Sequence, residues 1–166
     1  YPGPLRKLCG VWAEEIDALA PEQSNTLRFA GGGETKCGLL CDILHLEGAQ
    51  AIASYGGDFY AGTPAVTRNN CGKGVAYYVG TQPDQDGLAK ILDQFAQDGG
   101  LAPLIQEETP LEVVRRVKDG TEFWFILNLT GQPQPAPESF RGETDVLTGE
   151  AVGGQLKPFD ALLVKR

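Results

Sequence analysis

Residues 60–81, YAGTPAVTRNNCGKGVAYYVGT, form the stretch on which the fold of this chain depends. Residues 64–68 begin with a proline, which suits the first residue of a strand. Residues 69–74 are rich in Asn and Gly, which accept the positive φ angles of a tight turn. Residues 75–79 are apolar on both faces and therefore predict a central strand covered on both sides. The stretch predicts a hairpin, and its residues indicate no chemistry.

Residues 84–98 predict an amphipathic helix directly after this hairpin. The apolar residues recur at i, i+3, i+4 and i+7 and form one stripe that we expect to be buried: Leu88, Ile91, Leu92 and Phe95. Asp84 or Asp86 can cap the start of the helix, and Gly99 can end it. A hairpin that leads into a helix indicates an α/β or α+β layer.

The segment before the hairpin predicts further strands. A short helical turn ends at Gly10, and strands are expected over residues 11–19, 39–46 and 49–55. Residues 31–33 are three consecutive glycines, but no phosphate-binding glycine pattern surrounds them. We interpret them as a hairpin loop.

The second part of the chain has a different character. Residues 101–110 are typical of a linker, and the Asp119-Gly120 pair between two alternating runs is a strong hairpin signal. Residues 132–137, QPQPAP, predict an exposed loop, and residues 159–165 predict a final strand. Several short strands without a helix between them predict a small antiparallel β-sandwich.

These patterns together predict an α+β protein with two domains. The first, residues 1–101, is expected to hold part of an α/β domain with a mixed sheet and one main helix. The second, residues 102–166, is expected to be the small antiparallel β domain.

The composition limits the classes of partner. The formal net charge is −8 and the pI is about 4.6, which argues against nucleic acid or an anionic membrane as a partner. No apolar run approaches the length of a membrane span, and no signal peptide is recognised. The chain contains no methionine and opens at Tyr1, so we expect a piece of a longer, cytoplasmic protein.

The cysteines are interpreted as buried free thiols in a reducing compartment: Cys9, Cys37, Cys41 and Cys71. Cys37, Cys41 and His45 could be drawn as a zinc site. In an extended strand, however, these residues run past the reach of a single ion. We predict no metal ion and no cofactor.

The sequence contains no recognisable catalytic motif. No serine or cysteine lies in a nucleophile elbow, and His45 has no triad pattern around it. The adjacent carboxylates at 14–15 and 107–108 point to opposite faces of an extended chain. Such pairs cannot flank one glycosidic bond. The sequon at Asn128 ends a strand predicted to be buried, so we discount glycosylation there.

The hairpin stretch, residues 60–81, resembles bacterial β-galactosidases of glycoside hydrolase family 42, within the second domain of that family. Residues 3–11, GPLRKLCGV, and the EEID at 14–17 are similar to an earlier piece of the same domain. Residues 119–128 and 145–150 resemble the small C-terminal β domain of the family. The resemblance covers nearly the whole chain in the order of the family.

The resemblance carries implications beyond the residues themselves. The family combines a catalytic (β/α)₈ barrel, an α/β trimerisation domain related in fold to class I glutamine amidotransferases, and the β domain. It implies that this chain lacks the barrel and both catalytic glutamates and starts partway into the α/β domain. The intact enzyme would be a homotrimer that hydrolyses terminal non-reducing β-D-galactosides. This chain would be a non-catalytic part that supports the barrel and the assembly.

Two alternatives belong to other functional classes. A carbohydrate-binding module could use four aromatic residues as a sugar platform: Trp12, Phe59, Tyr60 and Trp124. Aromatic residues in strands, however, are more often core residues than sugar platforms. An amidotransferase-like enzyme is disfavoured because the elbow cysteine is missing.

Overall fold

A computed structural model describes residues 2–166, which form two compact units, residues 2–101 and Ala102–Arg166. In the first unit a 3₁₀ turn, Gly3–Leu5, precedes helix α1 (Arg6–Cys9), and the main helix α2 is Gln85–Asp98. The first unit has these strands: β1 (Val11–Ala18), β2 (Asn25–Phe29), β3 (Glu34–Leu46), β4 (Gln50–Tyr55), β5 (Pro64–Cys71), β6 (Gly74–Val79) and β7 (Thr81–Pro83). The second has β8 (Glu112–Lys118), β9 (Thr121–Leu127), β10 (Gln134–Pro135), β11 (Gln155–Leu156) and β12 (Ala161–Lys165), with a 3₁₀ turn at Glu138–Phe140.

The strands of the first unit close into a ring. β3 pairs with β2, β2 with β4, β4 with β5 and β5 with β6, while β7 returns to pair with β3. Gly80, which joins β6 to β7, donates to the carbonyl of Ala65 (2.9 Å) and accepts from the amide of Asp42 (2.7 Å). Every pairing of named strands in residues 2–166 is antiparallel, so the predicted mixed sheet is wrong while the α+β class is correct.

The interior of the ring is the main core of the first unit. Its largest fully buried side chains are Leu27, Tyr55 and Ile91, the last contributed by α2. The hydroxyl of Tyr55 donates to the carbonyl of Gly80 at 2.8 Å, so this buried polar atom is satisfied. The core therefore fixes both the ring and the helix that covers it.

The predicted hairpin is present, but the position of its second strand differs. β5 and β6 are paired from Val66↔Val79 to Cys71↔Gly74, so the strands extend into the predicted turn. β6 is partly covered on its faces but lies at the end of the strand order, not in the centre. One face of β6 is covered by α2, where Tyr77 contacts Phe95, and on the other face Tyr78 packs against the cluster of Cys9, Val11 and Ala49. An apolar strand can therefore be half covered and still lie at the edge of a sheet.

The second unit contains two small antiparallel sheets around their own core. β9 lies between β8 and β12, and β10 pairs with β11. The β8–β9 turn is the predicted one: Asp119 and Gly120 have φ angles of 52° and 77°, as a two-residue hairpin loop requires. Residues 132–137 are not wholly an exposed loop, because β10 lies within them and Ala136 and Pro137 are buried.

Candidate assembly surface

The start of α2 is held to β3 by a single aspartate. The carboxylate of Asp84 accepts the amide of Gly87 (2.8 Å) and also the amide of Lys36 (3.0 Å). These two backbone hydrogen bonds lower the pKa of Asp84 below its ordinary value. The predicted cap is therefore correct, and its second bond fixes the helix against the ring.

The end of α2 is held by a group of polar side chains. Asp98 accepts from the hydroxyl of Tyr77 and from Nε of Arg68, the latter at 2.9 Å. The hydrogen bond from Tyr77, reinforced by Arg68, lowers the pKa of Asp98. A carboxylate at the C-terminal end of a helix opposes the helix dipole, so these two donors offset an unfavourable position. Tyr77 also contacts the ring of Phe95, with centroids 4.1 Å apart.

The apolar stripe of α2 is only partly buried, which corrects the sequence prediction. Ile91 is 1% exposed and packs in the ring core, and Phe95 packs beside it. Leu88 and Leu92 are 47% and 51% exposed. The ring core therefore buries one side of the helix and leaves the adjoining flank uncovered.

Beyond Leu92 along the helix, Phe95 contacts Tyr77 of β6. A depression of about 680 Å³ is lined by Val75, Tyr77 and Val79 of β6 and by Phe95 of α2, with the charged residues Lys73 and Asp98 also in its lining. Leu88, Leu92 and Phe95 follow the i, i+4, i+7 spacing that places them along one side of the helix. We call Leu88, Leu92, Phe95 and the open edge of β6 the β6–α2 surface.

The backbone of β6 adds hydrogen-bonding capacity to this surface. β6 pairs with β5 along one side, and no strand of residues 2–166 pairs along the other. Its sequence from Gly74 to Val79 contains no charged residue, and no bulge interrupts its register with β5. Natural edges are usually blunted by charges, prolines or bulges. An edge without any of them is suited to receive another segment of polypeptide.

The four aromatic residues of the alternative sugar platform do not form one. Trp12 stacks on His45, with centroids 4.5 Å apart, and Trp124 is buried in the core of the second unit. Tyr60 is buried and donates to Asp17 at 2.8 Å, whereas Phe59 is 75% exposed. Only Phe59 presents a largely open ring.

The cysteines and histidine are also separated by the fold. Cys37 and Cys41 lie in the ring core, whereas His45 lies outside it and contacts Glu14 at 2.6 Å. Residues 2–166 contain no group of three potential ligands close enough to hold a metal ion. Cys9 is buried as predicted, but Cys71 is exposed, because β5 extends to the turn and places it at the tip of the hairpin.

The remaining polar candidates have structural partners. Glu107 accepts the amides of Glu138 (2.7 Å) and Ser139 (3.1 Å), so it caps a 3₁₀ turn. The sequon residue Asn128 is fully buried and donates to the carbonyls of Gln132 (2.8 Å) and Lys157 (2.7 Å).

No signal in the single sequence marked the β6–α2 surface, since the exposure of that surface depends on how the ring closes.

Family models match both parts of the chain. Residues 1–102 match the β-galactosidase trimerisation domain, and residues 111–166 match the β-galactosidase C-terminal domain. Among residues 2–166, no helix is both long enough and apolar enough to cross a membrane.

Curated relatives and solved structures agree with these matches. The β-galactosidase LacA of Lactobacillus acidophilus is 37% identical over 166 residues, covering 99% of this chain and 25% of that protein. BgaA of a Planococcus species is 42% identical over 161 residues, covering 94% and 24%. The crystal structure of a β-galactosidase from Bacillus circulans sp. alkalophilus superposes with a TM-score of 0.84 at 37% identity, covering 100% of this chain and 26% of that one. The chain thus spans about a quarter of the length of the curated relatives it matches.

Proposed function

Since the chain belongs to the β-galactosidases of glycoside hydrolase family 42, we propose that it is the non-catalytic C-terminal portion of an enzyme that hydrolyses terminal non-reducing β-D-galactosides. The catalytic barrel of that enzyme is then its intramolecular partner. The role of this portion is to support the barrel and to assemble subunits.

The two units take different parts in this proposal. Residues 1–101 are the C-terminal part of the α/β trimerisation domain, related in fold to class I glutamine amidotransferases. Residues 102–166 are the small β domain. The match of the first unit to a trimerisation domain, over residues 1–102, supports a homotrimer. The enzyme is proposed to be cytoplasmic, in line with four unpaired cysteines.

The observation that carries the assembly role is the β6–α2 surface. It combines a strand edge along which no strand of residues 2–166 pairs with the exposed side chains of Leu88 and Leu92, within the residues that match the trimerisation domain. Exposed apolar area and an edge strand without a neighbouring strand are both stabilised when another polypeptide covers them. Assembly through this surface therefore follows from its composition.

The absence of catalysis in this portion follows from the requirements of glycoside hydrolysis. That reaction needs two carboxyl groups held about 5–10 Å apart on either side of the bond. The carboxylates of Asp84, Asp98 and Glu107 are already engaged in capping or ion pairing.

Two measurements on the purified 166-residue chain test the proposal. In a chromogenic β-galactoside assay from pH 4 to 9 we expect no turnover above a buffer control. In sedimentation equilibrium over a concentration series we expect the average mass to rise with concentration. Turnover that co-purifies with the chain would overturn the non-catalytic role, and a strictly monomeric chain at the highest concentration would overturn the assembly role.

A further inference from the structure

The ring contains an irregularity where β3 pairs with β7. Cys37 lies opposite Pro83, Gly38 opposite Gln82 and Cys41 opposite Thr81. Two residues of β3, Leu39 and Leu40, are therefore extra relative to β7. Leu39 has a φ angle of 65°, a left-handed conformation of the kind that accommodates extra residues at a β-bulge.

The bulge shortens the distance between two cysteines. Residues four apart in a regular strand have Cα atoms about 13 Å apart. The partners of Cys37 and Cys41 on β7 are only two residues apart, so the same strand spacing predicts about 6.6 Å between the Cα atoms of the two cysteines. Disulfides span Cα separations of about 4.4–6.8 Å. Thr81 and Pro83 face the same side of β7, so the two cysteines also share a side.

The environment of the two thiols agrees with this placement. Cys37 and Cys41 are 3% and 0% exposed and belong to one core cluster. Sγ of Cys41 lies 3.7 Å from Oγ1 of Thr81. Burial raises the pKa of Cys37 to about 11, the hydrogen bond with Thr81 opposes this, and the neighbouring Cys41 thiol adds to it. The two thiols are therefore neighbours that share one hydroxyl partner.

We propose that Cys37 and Cys41 form a reversible intramolecular disulfide across this bulge. The oxidant is a low-molecular-weight disulfide, RSSR. One cysteine thiolate attacks RSSR, which forms a protein–S–S–R bond and releases RS⁻. The second cysteine loses its proton and attacks the protein sulfur, which forms the Cys37–Cys41 bond and expels a second RS⁻. The two cysteines lose two electrons and two protons, and RSSR is reduced to two RSH.

Both cysteines belong to β3, so the bond would close the bulge within that strand. Cys37 is paired across the ladder with Asn25 of β2, and Cys41 with Asp17 of β1. The bulge residues Leu39 and Leu40 are exposed, so a local opening of the bulge admits the oxidant without unfolding the core. Exchange is slow in the closed state because few thiolates form at a raised pKa. The site is thus a modification site whose rate depends on opening of the bulge.

The test compares the native chain with the unfolded chain at redox equilibrium. The 166-residue chain is incubated without oxygen in mixtures of reduced and oxidised glutathione, then quenched with acid, alkylated in denaturant and analysed by peptide mass spectrometry. We expect the Cys37–Cys41 disulfide to form. The effective concentration of the two thiols, obtained from their equilibrium with glutathione, should be at least tenfold higher in buffer than in guanidinium chloride. An effective concentration equal to or lower than the unfolded value would overturn the proposal.

Variants assign the bond and separate it from other oxidation. The Cys9→Ser/Cys71→Ser double variant retains both proposed partners and should form the bond as the original chain does. Cys37→Ser and Cys41→Ser should each abolish it, and a Cys37→Ala variant repeats the test if one serine variant does not fold. The oxidised chain should also melt at a higher temperature than the reduced one, and a thiol reductant should reverse the shift. Disulfides found only at Cys71, between two chains, would contradict the proposal.

Discussion

Two strands of the first unit, β1 and β6, each have a neighbour on one side only among the described residues, and they are built differently. β1 carries Glu14, Glu15 and Asp17 and has a bulge in its pairing with β3 between Ala13 and Glu15. β6 carries no charge and pairs with β5 in unbroken register. Charges and bulges are the devices that keep an edge unpaired. The difference indicates that β1 is kept open to solvent and that β6 is available to another segment.

The side chains beside each edge support the same distinction. The half-buried Phe95 of α2 contacts Tyr77 of β6, and Leu88 and Leu92 on the same helix are exposed. Beside β1, Trp12 is covered by His45 and by the guanidinium of Arg6, 5.6 Å from the ring centroid. Polar groups cover the aromatic side chain at one edge, and apolar groups remain uncovered at the other.

The largest expected effect concerns the two sides of α2. Ile91→Ala should lower the free energy of unfolding by about 2–5 kcal/mol, because it opens a cavity in the ring core. Leu92→Ala should lower it by less than about 1 kcal/mol, because half of that side chain is already exposed. Urea denaturation of both variants measures the difference. Equal losses would show that Leu92 is buried in solution and would remove the open flank from the comparison.

The next effect concerns Gly80, the residue that joins β6 to β7 where the ring closes. A Cβ at residue 80 would lie 3.1 Å from Cβ of Asp42 and 3.2 Å from the carbonyl oxygen of Ala65. Gly80→Ala should therefore cost about 1–3 kcal/mol, the range for overpacking. Gly31→Ala, in the β2–β3 hairpin with no atom near its Cβ, is the matched control. Thermal denaturation of the two variants should separate them, and an unaffected Gly80→Ala variant would argue against closure of the ring there.

A smaller effect is expected from charges at the two edges. Val79→Glu with Leu92→Glu should weaken self-association at least tenfold, about 1.4 kcal/mol, because burying these carboxylates would be costly. Both native side chains are well exposed, so folding should be retained. Ile16→Glu on β1, a comparably exposed position, should leave association unchanged. Sedimentation equilibrium of the three proteins is the measurement. Weaker association in Ile16→Glu would place the contact at β1 instead.

The smallest effect is a pH dependence at the end of α2. The pKa of Asp98 is lowered in the folded chain, first by the hydrogen bond from Tyr77. Its contribution to stability is therefore complete above the unfolded pKa of about 3.9 and is lost as the pH falls through the lower folded value. The stability difference between the original chain and Asp98→Asn should shrink as the pH decreases below about 4. A difference that stays constant from pH 7 to pH 2 would contradict this role for the ionised carboxylate.

The elements predicted from sequence are those specified by neighbouring residues. The Asp119-Gly120 hairpin was correct because its two positive φ angles depend on those two residues. The cap of α2 at Asp84 was correct because a cap is a contact between residues three apart. The family resemblance, carried by residues 60–81 and the motifs around them, was confirmed by the family models.

Other features depended on contacts between distant residues. The sequence could not place β6 at an edge, because that position depends on β7 pairing with β3, some 40 residues earlier in the chain. It could not distinguish Ile91 from Leu92, which share one stripe but differ in burial because only Ile91 packs in the ring core. The proximity of Cys37 and Cys41 likewise requires the bulge, which periodicity alone does not indicate.

The sequence by itself therefore determined the hairpin, the helix, the acidic charge and the membership of a family, because these are properties of short segments or of composition. The tertiary structure decided which apolar residues remain uncovered, which edge is open and which thiols are neighbours. The physical reason is that one strand presents the same side chains whether it lies in the centre or at the edge of a sheet. The exposure of a strand depends on its hydrogen bonds to strands that are remote in sequence, and the local sequence pattern does not specify those partners.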